Sequence, residues 1–362
     1  MTRRRSCLAL VALLLVGGQQ QPPRASGPDS GSPPARLADT GLFAAGSTDA
    51  IASGVRPFAP QYPLWSDGAV KRRWVRLPEG AAIDASNPRS WEFPVGTRFW
   101  KEFRFAGRRV ETRFLWKASP REWVAAAYFW NREGTDAILA PEDGMISEAE
   151  IASGRNHNIP ARADCAACHG PTRAPLGFNP LQLSDERDPN AIHGEPLLPG
   201  MVTLNTLLDE GLLTGADDSP HRVSPRIPAR DPQTRAVLGY LATNCGTCHN
   251  AGSAISARLP SLAYGDVMAD PDAVVKQMVG QPSRWQAPGR SAGETLLIDP
   301  ASPAASAILL RMRSRKPSSQ MPPLGTALRD QEAIDAIERW IADLASGVIR
   351  TAPAPASLFR PE

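Results

Sequence analysis

Arg98-Phe-Trp-Lys-Glu-Phe-Arg-Phe105, then Ala106-Gly107-Arg108, then Arg109-Val-Glu-Thr-Arg-Phe-Leu-Trp-Lys117: two aromatic, β-prone runs flank a short turn containing glycine. This spacing predicts a β-hairpin. In the second run Val110, Thr112, Phe114 and Trp116 alternate with Glu111, Arg113, Leu115 and Lys117. A period of two predicts a half-buried strand. Beyond Ser119-Pro120, residues 123–130 are apolar on both faces and predict a central strand. Residues 71–77 and 91–95 predict two more. Seven of the nine tryptophans fall between Trp65 and Trp130. Such a load fills the core of a small antiparallel β-domain and its seam with the C-terminal part of the chain. The competing reading is an exposed aromatic platform that binds a sugar or a partner surface.

Two short runs carry the chemistry. Cys165-Ala-Ala-Cys168-His169 and Cys245-Gly-Thr-Cys248-His249 hold four of the five cysteines. C-x-x-C-H is the attachment signature of a c-type haem. Two thiols one helical turn apart add across the two vinyl groups of the porphyrin, and the next residue becomes an axial ligand of the iron. A thioredoxin-type reading wants one motif on a βαβ unit and gives no reason for a histidine at the fifth position twice. A zinc reading joins four thiolates across a long gap and leaves both histidines unused. The residues therefore predict two covalent haems, with Cys165, Cys168, Cys245 and Cys248 as attachment points and His169 and His249 as iron ligands.

From residue 148 the texture changes to short helices and proline loops. Residues 202–213 place Leu204, Leu207, Leu208 and Leu212 on one helical face, with Gly215 just beyond. Asp231-Pro232 offers an N-cap and a first-turn proline for a helix running through Val237, Leu238 and Leu241 into Cys245. Ser302-Pro303 repeats that signal before Ile308, Leu309 and Met312. A last helix begins near Asp330, carries Ile334, Ile337, Trp340, Ile341 and Leu344, and stops at Gly347. Before it lies Gln320-Met321-Pro322-Pro323-Leu324-Gly325, a stiff loop that offers the Met321 thioether as the second axial ligand opposite His249. Met312, among apolar helix positions, reads as core. The sixth ligand of the first haem is open between His193, His157 and Met201, with His221 further off, or an open position.

The ends of the chain carry separate signals. Met1-Thr-Arg-Arg-Arg5 precedes an apolar run over residues 7–16 and Gly17-Gly18, the order of a signal peptide. The run is too short to span a bilayer, and Cys7 lies at its start, against a lipoprotein. Arg3, Arg4 and Arg5 account for the formal net charge of +3, which leaves 37 basic against 37 acidic residues in the remainder. No basic excess argues for nucleic acid. The expected location is periplasmic or secreted, with no membrane span in the mature chain. With 362 residues and 36 prolines, the expected layout is a signal peptide (1–18), a disordered linker (19–36), a Trp-rich β-domain (37–147), a first haem segment (148–230), a second haem domain (231–350) and a tail (351–362). The fold class expected is α+β and multidomain: an antiparallel β-rich domain followed by two mainly α-helical cytochrome c-type haem domains.

Several stretches go further. They are Tyr62-Pro-Leu-Trp-Ser-Asp-Gly-Ala69, Trp91-Glu-Phe-Pro-Val-Gly-Thr-Arg-Phe-Trp-Lys-Glu-Phe103, Val110-Glu-Thr-Arg-Phe114 and Leu176-Gly-Phe-Asn-Pro-Leu-Gln-Leu183. Tyr240-Leu-Ala-Thr-Asn-Cys-Gly-Thr-Cys-His249 and Met321-Pro-Pro-Leu-Gly-Thr326 complete the set. Over about residues 37–348 the chain resembles a family of secreted bacterial dihaem c-type cytochromes with an N-terminal β-rich domain. Its C-terminal part, about 231–348, resembles a monohaem cytochrome c domain. The resemblance implies two covalent haems and electron transfer, and brings no substrate or named partner.

The leading expectation is a periplasmic electron carrier serving redox partner proteins. The alternatives are a dihaem peroxidase-like enzyme with an open first haem, or a β-domain that binds a polysaccharide or a protein with the redox part as a tethered tail. The sequence names no distal acid–base group and no catalytic residue.

Overall fold

The computed structural model describes residues 31–169, 175–216, 224–229, 231–253 and 260–346. The expected signal peptide, Cys7, His221, Gly347 and the tail lie outside them. The first strands are β1 (Arg56–Pro57), β2 (Val70–Arg76), β3 (Ile83–Asp84), β4 (Arg98–Phe105), β5 (Arg108–Ser119), β6 (Glu122–Trp130) and β7 (Ala137–Leu139). All but β3 join one antiparallel six-stranded sheet in the order β1-β2-β4-β5-β6-β7. The quoted hairpin is its centre. β4 and β5 meet at Ala106 and Gly107, both with positive φ (46° and 79°), the backbone of a tight hairpin turn whose twist suits the strands.

Both faces of this sheet are covered. Trp74, Trp100, Phe114, Ala126 and Tyr128 pack under Leu37, Leu42, Phe43 and Val55. On the opposite face Val75, Phe99, Leu115 and Ala125 pack against Phe178, Leu183, Leu204 and Leu207. Each fully buried side chain of this size is worth roughly 1.5–3 kcal/mol. The alternation seen in β5 is therefore not a boundary between core and water: Glu111 and Thr112 are both fully buried. Trp74, Trp91, Trp100, Trp123 and Trp130 are buried as well. Trp65 and Trp116 are half-buried, so these seven tryptophans do not form an exposed aromatic platform.

The chain beyond the sheet corrects the expected fold class. It is not two mainly α-helical cytochrome c-type domains. Residues 145–159 form a second hairpin, β8 (Met145–Ala152) with β9 (Arg155–Ile159). Its buried face is carried by Ser147 and Ala149, with Glu148 and Glu150 exposed, so the period of two was hidden by small, weakly apolar residues. Next come α1 (Arg162–His169), α2 (Leu204–Asp209) and β10 (Leu213–Thr214). The helix expected over 202–213 stops early: Gly211 takes φ 67°, and Leu213 instead pairs in parallel with Ile83 of β3. Ladder pairing with β3 overrides the helical spacing of the leucines.

The remaining helices are α3 (Pro232–Asn244), α4 (Tyr264–Ala269), α5 (Pro271–Lys276), α6 (Ala307–Arg313) and α7 (Gln331–Ser346). Of the seven helices among the described residues, only α3 and α7 exceed eight residues. They share one core with residues from far upstream: Tyr62, Leu181 and Ile192 pack with Leu238, Leu241, Ile334, Ile337 and Trp340. Gly239 in α3 is needed for this, because a Cβ there would lie 2.3 Å from the Tyr62 ring.

Candidate functional site

The first motif is the last part of α1. Asp164 begins that helix by accepting the Ala161 N–H through its carboxylate (3.0 Å). Cys165 packs on the sheet core, and Cys168 is exposed. The second motif is a turn at the end of α3. Asp231 caps that helix on the Thr234 N–H (2.7 Å), and Pro232 fills its first turn. The Cys248 and His249 N–H groups both return to the Cys245 carbonyl (3.1 and 2.8 Å). Asn250 donates to the Gly246 and Thr247 carbonyls and tightens the turn. Only glycine fits at 246, since a Cβ there would sit 2.3 Å from the Leu262 carbonyl oxygen.

Far apart in sequence, the two motifs meet in space. The Cys248 thiol lies 3.8 Å from the Ala167 carbonyl, inside the first motif. A cavity of about 420 Å³ opens beside the first motif and reaches the second at Thr247, within the size range of small-molecule and cofactor sites. Cys165, Cys168 and His169 line one side, and Thr243, Thr247, Gln320 and residues 323–327 line another, while Cys245, Cys248, His249 and Met321 do not border it. The sheet supplies the third wall, through Arg73, Lys101 and Arg113.

None of the four motif cysteines forms a disulfide. Burial pushes the Cys245 thiol up to about 12, with Cys248 adding to the effect. Partial desolvation raises Cys168 too, again helped by Cys248 and opposed by Arg113. Raised thiols are the reverse of a thioredoxin nucleophile, which is activated by a lowered pKa. Among the described residues no three His, Cys, Asp or Glu side chains converge to hold a bare metal ion, so the four-thiolate zinc geometry is not formed.

The candidate axial groups sit in different settings. His249 has its Nδ1 buried with no partner among the described residues, and burial, then Arg311, lowers its pKa. The Met321 N–H donates to the Arg311 carbonyl (3.0 Å), so the methionine loop is tied to the helix whose Arg311 acts on His249. His157, on β9, is buried and bonded through Nε2 to Glu111 (2.8 Å). His193 meets Asp330 through Nε2 (2.8 Å) and Glu332 through Nδ1 (3.2 Å). Met201 is half-buried, with its sulfur 3.4 Å from the Leu198 N–H. None of these three borders the cavity.

Protein-family models, curated proteins and solved structures give no match to this chain.

The sequence reading missed the basic wall. Arg73, Lys101 and Arg113 stand directly opposite one another on β2, β4 and β5. Its signal was present as cations within each of three neighbouring strands, but only the register brings Arg73, Lys101 and Arg113 together. Also unforeseen was the role of Asp67, whose carboxylate accepts the Ala327 and Leu328 N–H groups (2.9 and 2.8 Å) and fixes the end of the methionine loop.

Proposed function

We propose that this chain carries two covalently attached c-type haems and passes electrons between redox partner proteins outside the cytoplasm. The observation that carries the reading is the approach of two C-x-x-C-H runs to one another, Cys248 to Ala167, beside a cavity lined by Cys165, Cys168 and His169 and reached by the second run at Thr247. Three features of the chain fit such a group. The cavity has a suitable volume and combines apolar and cationic walls. None of the four motif thiols is joined in a disulfide, which leaves each of them available for thioether attachment. The His249 Nδ1 is a buried polar atom without a partner among the described residues, a cost of roughly 1–3 kcal/mol that a further group bound at this histidine would offset.

Bound haem supplies the one-electron chemistry. The chain supplies attachment, orientation and burial. Cys165 and Cys168 would hold one group and Cys245 and Cys248 the other, with His169 and His249 as ligands and Met321 as the second ligand beside His249. The turn pinned by Gly246 and Asn250 fixes where His249 points. No helix among the described residues is long and apolar enough to cross a membrane.

The test is the mass of the full chain exported from a host that attaches c-type haem. Two haem increments are expected, one lost in Cys165→Ser/Cys168→Ser and the other in Cys245→Ser/Cys248→Ser. A polypeptide mass with no increment overturns the reading. Met321→Ala should lower the potential of one centre and leave the other unchanged; two unaltered potentials would remove Met321 as a ligand.

A second reading, an open coordination position beside His169, is favoured by the engagement of His157 and His193 with carboxylates away from the cavity. Strong carbon monoxide binding by one of the two reduced centres supports it. Inertness of both centres excludes it.

A further inference from the structure

The cationic wall is costly to the fold. Like charges directly opposite each other in a ladder are destabilising, yet Arg73, Lys101 and Arg113 form an unbroken row across three strands. Lys71 lies two residues along β2 on the same face. Arg73 is held by Glu195 in a two-point pair (2.6 and 3.0 Å). Arg113 is held by Glu111 (2.7 and 3.2 Å). The Lys71 ammonium donates to the Leu64 carbonyl (2.7 Å). Lys101 has only the Phe103 ring, 5.0 Å from its nitrogen, and among the described residues no carboxylate or carbonyl receives it. Two other acids border the cavity, Asp67 and Asp164, and both are turned onto backbone N–H groups.

An unpaired ammonium walled in by two guanidinium groups persists only where something outweighs its cost. The cavity opposite it is bounded by Cys165, Cys168 and His169. A ligand for this wall must be anionic. The four cations Lys71, Arg73, Lys101 and Arg113 stand against two acids, Glu195 and Glu111, which already occupy the guanidinium forks. About two negative charges are therefore missing, and the free donors are those of Lys101. We propose that the Arg73–Lys101–Arg113 row is a binding site for a pair of carboxylates, received at Lys101. Resting on the function proposed above, their source is the two propionate groups of the haem attached at Cys165 and Cys168. Burial and then the neighbouring Arg73 and Lys71 cations push Lys101 well below the ordinary lysine range. Burial and then Arg73 bring Lys71 down to about 8. In both the neighbouring cations add to what burial does.

The experiment uses the full exported chain, with Lys101→Met, Lys101→Gln and Lys101→Arg. Its mass decides separately whether haem is attached. Without any ligand, Lys101→Met should raise the thermal midpoint, because it removes a desolvated cation; Lys101→Gln serves if the methionine variant does not fold. With haem attached, the pH profile of the potential reports the carboxylates. An opposite charge within about 4–6 Å lowers a carboxyl pKa by 1–3 units. Loss of Lys101 should therefore move the acidic inflection up by about one unit, and Lys101→Arg should restore it.

The second arm is a titration with succinate. If succinate raises the wild-type midpoint, and does so at least about tenfold more weakly in Lys101→Met, the site stands and its carboxylates belong to a diffusing acid. If the mass shows no haem, this arm alone decides. A pH profile and a succinate response that are both indifferent to Lys101 overturn the proposal.

Discussion

Glu111 is fully buried between Arg113 and His157. Burial alone would raise its carboxyl, but the Arg113 guanidinium and the His157 hydrogen bond outweigh it and hold the group at about 2. A carboxylate whose pKa falls on folding stabilises the fold above its unfolded value, and that contribution is lost as pH drops through the folded one. The window runs from about 4.5 down to about 2, and the loss from this group is about 3 kcal/mol. Urea unfolding at pH 6 and pH 3 checks it. The wild type should lose markedly more stability over that interval than Glu111→Gln, whose amide does not titrate. At pH 6 the variant should start about 3 kcal/mol lower, because Arg113 and His157 keep their buried places without a counter-charge. Equal losses in the two proteins would show that Glu111 does not govern the acid limb. The sequence marked Glu111 and Arg113 as the polar side of an alternating strand. Alternation separates two faces and says nothing of what covers the second, so a buried ion pair read as a wetter edge.

At the scale of elements, the methionine loop depends on a residue from the other end of the chain. The Asp67 carboxylate takes the Ala327 and Leu328 N–H groups, and Asp67 itself sits at φ 51° in a turn closed by Gly68. Hydrogen bonds to a charged group contribute about 1.5–3 kcal/mol. Asp67→Ala should cost about that much, and limited proteolysis should then cut within 322–328 before it cuts the sheet. If the cleavage pattern matches wild type, the loop is held by its own residues. Local signals made several elements legible: the Ala106-Gly107 hairpin and the Asp231-Pro232 helix start are where the sequence puts them. Elements decided by distant partners were not. Leu213 leaves a helical pattern to pair with Ile83, and β8 hides its period behind Ser147 and Ala149. The motif cysteines were legible as chemistry, but the cavity wall opposite them required the register of three strands.

For the whole molecule, the sheet is not a unit that ends near residue 147. That position lies inside β8, and the core on one face of the sheet is completed by Phe178, Leu183, Val202, Leu204 and Leu207. Phe178 alone stands within 5.0–6.1 Å, centroid to centroid, of Phe58, Trp91, Phe93 and Phe99. From the opposite direction, Tyr62 is embedded among the helices and bonds Asp188 through its hydroxyl (2.9 Å). Trp65 and Asn244 are joined by backbone to side chain (2.8 Å). A fragment of residues 31–147 should therefore expose the Phe58, Phe99 and Trp123 face and fail to hold a native core. Its expected signature is dye binding and absent near-ultraviolet dichroism, with strand content retained. The intact chain should show one calorimetric transition whose van't Hoff and calorimetric enthalpies agree. A fragment that melts cooperatively by itself, or two resolved transitions in the intact protein, would show that sheet and helices are separate folding units. The sharing of Tyr62 and Phe178 between them would then contribute little. The same joint carries the functional reading, because the cavity has its cationic wall on the sheet and is bounded by Thr243 and Thr247 at the end of α3. A chain that unfolds in one step keeps those walls in fixed register whenever it is folded.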